Sequence, residues 1–214
     1  MITKRLHLEY LKGLKGFLAL LRDPKATDSV FEIVEGFRET AAYRHALEHV
    51  RSVPENAQII EERSIPPTPD LENLSALPEG TLGRVYADHM IQLGLDPAFF
   101  PKIEAEDDIA FMMLRMREAH DIWHVVAGFA TDVPGELGLQ AFGLAQTHNP
   151  LSIALIGGGL LRTLKSTTEL DAIMNEVSLG WRRGRDAAPF FAQRWEAGWE
   201  RPITEWRKDL GIEL

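Results

Sequence analysis

A mainly α fold is predicted by three observations on this chain. Apolar residues recur at steps of three and four through most of it, period-two alternation is scarce, and the helix-period segments open on capping residues and close on glycine or proline. No internal repeat is visible, and no Gly/Ser-rich linker divides the 214 residues. The expected architecture is a single multi-helix domain over 1–214, with a proline-rich irregular connection near 52–80.

Residues 3–21 place Leu6, Tyr10, Leu14, Phe17, Leu18 and Leu21 on one helix face and Lys4, Lys12 and Lys15 on the other. Such a helix serves either as an ordinary packed first helix or as a contact with an anionic membrane. Asp23-Pro24 ends it, and Asp28 or Ser29 caps a second helix to about Val50. Pro54, Pro66, Pro67, Pro69 and Pro78 then predict an irregular connection, within which QIIEERSI at 58–65 reads as a short extended piece.

Helical period returns over 77–96 with Leu82, Val85, Tyr86, His89, Met90 and Leu93, and Gly94 is the stop. His89 falls on the apolar side, where a histidine is more often a core residue than a ligand. Residues 99–101 read as a turn. A long helix is expected from Asp107 or Asp108 to about Phe129, and another from Glu136 to Thr147, ended by His148-Asn149-Pro150. Leu151–Lys165 is an apolar helix holding Gly157, Gly158 and Gly159. Glycine is costly inside a helix, so the run implies close helix packing or room for something apolar. Thr167 or Thr168 caps a helix to about Ala187, and the last helix has Thr204 as its expected cap and Gly211 as its stop.

Composition excludes several function classes. There is no cysteine, which removes disulfides, iron–sulfur clusters and thiolate zinc sites, so any metal must use imidazole and carboxylate. The net charge of -9 argues against nucleic acid as a partner. Residues 55–108 alone carry 12 acids against 3 bases. The most apolar run, Leu151–Leu161, is far below the ~20 residues of a spanning helix. The N-terminus lacks the apolar core of a secretory signal, and a bacterial cytoplasmic setting is the simplest expectation.

The chemistry concentrates in REAHDIWHVVAGFATDVPGE, residues 117–136. Each helical residue turns by about 100°, so with His120 at zero His124 lies at about 40° and Asp121 at about 100°. Both imidazoles can then reach one ion on one helix face. Pro134 and Gly135 break that helix, and Glu136 returns as a ligand from the next one, with Asp132 as its cap. Two nitrogens and two carboxylate oxygens suit zinc and also accept iron(II) or manganese. The bland alternative is two face histidines and a solvated charge. Arg117, one turn before His120, offers its guanidinium either to a substrate carboxylate or phosphate or to a neighbouring acid.

HD-type phosphohydrolases share the adjacent His-Asp pair. His45, His49 or His89 could supply their upstream histidine and Asp171 or Asp186 their downstream aspartate, but His124 and Glu136 would then have no role. Ferritin-like di-iron proteins need repeated Glu-x-x-His, and Arg117 and Asp121 stand where those glutamates belong.

HDIWH followed by eleven residues and Glu136 resembles the HDxxH…E signature of the ubiquinone-biosynthesis family of the Coq-four type. The likeness extends to LPEGTLGRVYADHM at 77–90, TDVPGELGLQAFGLAQ at 131–146, GWRRGRDAAPFF at 180–191 and the EWRKDLGI ending. The resemblance implies a helical fold and a divalent metal, zinc above all, held by His120, Asp121, His124 and Glu136. It also implies association with other quinone-synthesis proteins on a membrane surface, here the inner membrane. The implied reaction removes the C1 carboxyl of a polyprenylated 4-hydroxybenzoate precursor, with hydroxylation at that carbon.

A non-catalytic scaffold that binds the prenyl lipid is the contrasting expectation. Its candidate walls are the 3–21 and 151–161 helices, and Arg182, Arg183 and Arg185 are its candidate anion contact. Tyr10, Leu14 and Phe17 could meet lipid or a second copy in a homo-oligomer.

Overall fold

A computed structural model describes residues 40–99, 105–164 and 167–214. The amphipathic 3–21 segment, the first part of the second expected helix and most of the 99–101 turn lie outside them. The helices of the described residues are α1 (Ala41–Arg51), α2 (Pro54–Glu62), α3 (Leu71–Ser75), α4 (Leu82–Leu93), α5 (Asp108–Ala127), α6 (Val133–Thr147), α7 (Pro150–Arg162), α8 (Leu170–Asp186) and α9 (Ile203–Leu210). Short 3-10 turns occupy Thr167–Glu169 and Trp195–Ala197. The only sheet-like pairing among the described residues is one antiparallel bridge, Thr81 to Pro202. The chain is mainly α.

Two expectations need correction. The extended piece at 58–65 is mostly helix: α2 begins at Pro54, where proline's fixed φ suits a first turn and its missing N–H is not needed. Ile59 and Ile60 are buried by it, and the irregular backbone falls around Pro66, Pro67 and Pro69 and again around Pro78. Thr204 is not a cap but the second residue of α9; Pro202 precedes the helix, and the Ile203 N–H donates to the Gly80 carbonyl at 2.9 Å.

The chain falls into two compact units. One comprises the described residues up to Val50 together with Thr131–Arg185. In it α6 opens on Asp132, whose Oδ1 accepts from the Gly135 N–H at 2.9 Å. His148 takes a left-handed φ of 54 at its C-cap, and Asn149 starts α7 by accepting from the Leu151 N–H at 3.1 Å. Of the three glycines of α7, Gly158 is buried, Gly159 lies under Leu137, and Gly157 faces open space.

Gly180 and Gly184 on α8 pack against the backbone of α6. A Cβ at Gly180 would stand 2.0 Å from the Gly138 carbonyl oxygen. Alanine gains about 1 kcal/mol in helix propensity. Overpacking against backbone that cannot swing aside costs about 3 kcal/mol. Gly180→Ala is therefore expected to lose about 2 kcal/mol, read as a lower urea midpoint at constant slope. A raised midpoint would show that α8 can draw away from α6.

The other unit comprises Arg51–Ala130 and Asp186–Leu214. Its interior is strongly aromatic: Trp123, Phe190, Trp195 and Trp206 follow one another at ring-centroid distances of 5.7, 5.5 and 4.9 Å. The C-terminal chain caps α4, since the Leu82 and Gly83 N–H groups donate to the Arg201 and Trp199 carbonyls at 2.9 and 2.8 Å.

Candidate metal centre

Helix α5 carries the two histidines, and both of its ends are held. Asp107 caps it by accepting from the Ala110 N–H at 2.7 Å. Asp108 sits between Arg51 at 2.5 Å and Arg63 at 2.7 Å. Gly128 ends the helix at φ 76, a conformation that favours glycine, and its N–H donates to the His124 carbonyl at 2.9 Å. Between the ends, Arg115 is 4 % exposed and donates to the Phe191, Ser64 and Gln193 carbonyls at 3.0, 3.2 and 2.5 Å. Burial lowers its pKa, and the nearby Glu196 charge partly offsets this.

His124 is 1 % exposed, and its Nδ1 lies 3.0 Å from the Phe129 carbonyl oxygen. A carbonyl only accepts, so Nδ1 carries the proton and, in the neutral ring, Nε2 presents a lone pair. That Nε2 lies 3.3 Å from Nε2 of His120, whose ring is edge-on to it at 89°. Two nitrogens this close need a proton or a cation between them. Two nitrogens on one tetrahedral zinc, each at about 2.0–2.1 Å, stand about 3.3–3.4 Å apart. The pair therefore fits a borderline divalent ion.

Two of the other expected residues, Asp121 and Arg117, are placed differently. Asp121 is half-buried, and its carboxylate is not gathered with the two rings. Its charge acts on Tyr86 of α4, whose hydroxyl is pushed above its ordinary pKa by burial first and then by Asp121 and Glu118. Arg117 donates to Glu118 at 2.9 Å, so holding a substrate anion would mean exchanging that partner. Glu136 lies in the first turn of α6, half-buried, its N–H donating to the Asp132 carbonyl at 2.8 Å. His89 is closer to the chemistry than its apolar position suggested, since its ring centroid is 6.2 Å from that of His124. In the other unit, exposed His45 pairs with Glu48, and His49 stacks on His148 at 3.5 Å. Burial and then the charge of His148 lower the pKa of His49.

A small cleft lies on the opposite side of α5, where Arg115, Glu118, Ala119 and Ile122 face Pro66, Pro67, Trp195 and Trp199. By the helical count these positions lie roughly half a turn from His120 and His124, so the cleft is separate from the imidazole pair.

The family model described as coenzyme Q (ubiquinone) biosynthesis protein Coq4 matches residues 4–214. The chain belongs to the Coq4 family. It is 32 % identical over 204 residues to the mitochondrial ubiquinone biosynthesis protein COQ4 homolog of Danio rerio, covering 92 % of this chain and 73 % of that one. The homolog of Mus musculus is 33 % identical over 174 residues, and the match spans 77 % of this chain and 63 % of the mouse protein. A crystal structure described as a ubiquinone biosynthesis protein, from Nostoc punctiforme, is 37 % identical with a TM-score of 0.85, covering 95 % of this chain and 98 % of that one.

Sequence reasoning missed three groups that shape this centre. The Phe129 carbonyl orients His124, Arg207 donates to α5, and Arg115 braces it. A main-chain acceptor leaves no compositional trace, and Arg207 in a charged last turn reads as a solvated cation. Arg115 did leave a weak signal, being a charge inside the otherwise apolar run Ile109 to Met116.

Proposed function

We propose that this Coq4-family ubiquinone biosynthesis protein is a metal-dependent decarboxylase of a polyprenylated 4-hydroxybenzoate precursor. The observation that supports it most is the pair of Nε2 atoms 3.3 Å apart, one of them aimed by the Phe129 carbonyl. His120 and His124 would hold zinc, or iron or manganese, with Glu136 and Asp121 as the carboxylate ligands. Chain connectivity supports Glu136, because only twelve positions separate it from His124. Asp121 would have to bring its carboxylate to the two rings to join.

When bound, such an ion supplies a Lewis acid that polarises the substrate phenol or carboxylate. The chain's own residues set up the rest. Phe129 fixes the tautomer of His124, and burial of that ring excludes water. Tyr86 remains protonated through neutral pH and is a hydrogen-bond donor beside Asp121. Arg117 is the group that could receive the substrate carboxylate. In the plain reaction the bond from C1 to the carboxyl carbon breaks, CO2 leaves, and a proton takes the electron pair. In the oxidative form, water supplies the hydroxyl that replaces the carboxyl at C1, CO2 leaves, and dioxygen takes up the two electrons and two protons released, as hydrogen peroxide.

A second reading has a specific observation in its favour. Helix α7 is mostly apolar yet buries only Ser152 and Gly158, while Ile153 and, just past its end, Leu164 are 59 % and 81 % exposed. Exposed apolar surface of this kind suits a prenyl tail, a membrane surface or another quinone-synthesis protein, as a non-catalytic scaffold would require. Among the described residues no helix is long and apolar enough to cross a membrane.

Metal-loaded protein incubated with a prenylated hydroxybenzoate under air separates the two. CO2 release in proportion to bound metal is expected. Tight binding of the precursor with no CO2 would favour the scaffold.

A further inference from the structure

The last turn of α5 leaves carbonyls without intrahelical partners. The Gly128 and Phe129 N–H groups both take the His124 carbonyl, at 2.9 and 3.2 Å. The next carbonyls go to a distant residue: Arg207 donates from Nη2 to Val125 at 2.7 Å and from Nε to Val126 at 3.1 Å. A guanidinium suits this place doubly, because its fork spans two carbonyls and its charge meets the negative end of the helix.

Arg207 is itself flanked by buried residues. Trp206, Leu210 and Ile212 around it are buried, and the Ile212 N–H returns to the Arg207 carbonyl at 2.8 Å. The chain end continues over the same turn, where a Cβ at Gly128 would stand 2.2 Å from Cδ2 of Leu214. Two contacts of the C-terminal segment thus fall on the few residues that set the His124 ring.

We propose that the C-terminal segment is a latch on the metal helix, with Arg207 as a positioning residue for His124. By holding the Val125 and Val126 carbonyls it keeps the turn closed, so that the Phe129 carbonyl stays under Nδ1 and Nε2 stays aimed at His120. The latch rests on the metal reading only for its consequence; the positioning itself concerns the apo chain.

The test compares full-length wild type, Arg207→Met and Arg207→Lys by amide hydrogen exchange of the apo proteins and by titration with cobalt(II). In Arg207→Met the Gly128 and Phe129 amides are expected to exchange at least about tenfold faster while α4 and α9 keep their protection. Cobalt affinity should fall about tenfold, the lower end for losing a group that supports a ligand. Lysine, which keeps one donor, should recover most of both.

Unchanged exchange at Gly128 and Phe129 overturns the proposal, and so does an equal rise along the whole chain, which would mark a merely structural arginine. Cobalt affinity equal to wild type, where wild type binds, also overturns it. If wild type takes no cobalt, the metal reading fails by itself and the exchange result still decides the latch. Should Arg207→Met not fold, Arg207→Lys is read alone, with a rise of about threefold supporting the latch and none rejecting it.

Discussion

Replacing His124 by alanine is expected to strip the protein of its divalent metal and, with it, of precursor turnover. The imidazole leaves one nitrogen facing His120 across 3.3 Å. Removing one of the two nitrogens leaves His120 with carboxylates alone in the proposed ligand set, so affinity should drop by about a hundredfold or more. The substitution also has a cost unrelated to metal, because the Phe129 carbonyl loses its donor in a buried place. That contributes about 1–3 kcal/mol of destabilisation, and loss of turnover alone could then be mistaken for unfolding.

His120→Ala is the control. His120 is half-buried, and its replacement leaves the bond from His124 to Phe129 in place, so metal should be lost with little change in thermal midpoint. Elemental analysis of both variants, with zinc titration against a competing chelator, reads the effect. A His124→Ala protein that keeps stoichiometric, tightly held metal would defeat the proposed centre, and one that keeps turnover without metal would defeat the proposed chemistry.

The parts of this molecule that were legible in the sequence are those set by local rules. Asp107, Asp132, Gly94 and Gly211 stand at helix ends because capping and left-handed turns use only the residue and its near neighbours. The His120 to His124 spacing was legible for the same reason, since four helical steps bring two side chains to one face. Failures came where distant backbone supplies the missing partner. Thr204 looked like a cap, but the Ile203 N–H is satisfied by Gly80, more than a hundred residues earlier. Pro54 looked like a breaker, yet burial of Ile59 and Ile60 rewards the helix that it begins. The orientation of His124 depends on a carbonyl, and the sequence cannot say which way a carbonyl points.

Arg115→Met is expected to be the most destabilising single change in the unit that holds α5. Methionine preserves the apolar stem and much of the volume, so the packing loss is small. What disappears is the charge and three donated hydrogen bonds, to Ser64, Phe191 and Gln193. These acceptors belong to two chain segments, 51 and 76–78 residues away in sequence, that α5 gathers through this one side chain. The bond to Phe191 is buried and those to Ser64 and Gln193 are part-buried; a carbonyl left without a donor costs up to about 1–3 kcal/mol, and some will recover a water from the adjoining cleft. The arginine also has a burial cost of its own, seen in its lowered pKa, and its removal returns part of that. Setting the carbonyls against this relief leaves a net loss of about 3–5 kcal/mol, the range for removing one member of a buried charged network. For a domain of this size that lowers the thermal midpoint by about 6 °C or more. Arg115→Lys should lie between, since one ammonium cannot span three carbonyls. Scanning calorimetry of the three proteins provides the check. A midpoint for Arg115→Met within about 2 °C of wild type, on the same scale, would mean that the carbonyls find water at no cost and that the guanidinium is not what joins the two segments to α5.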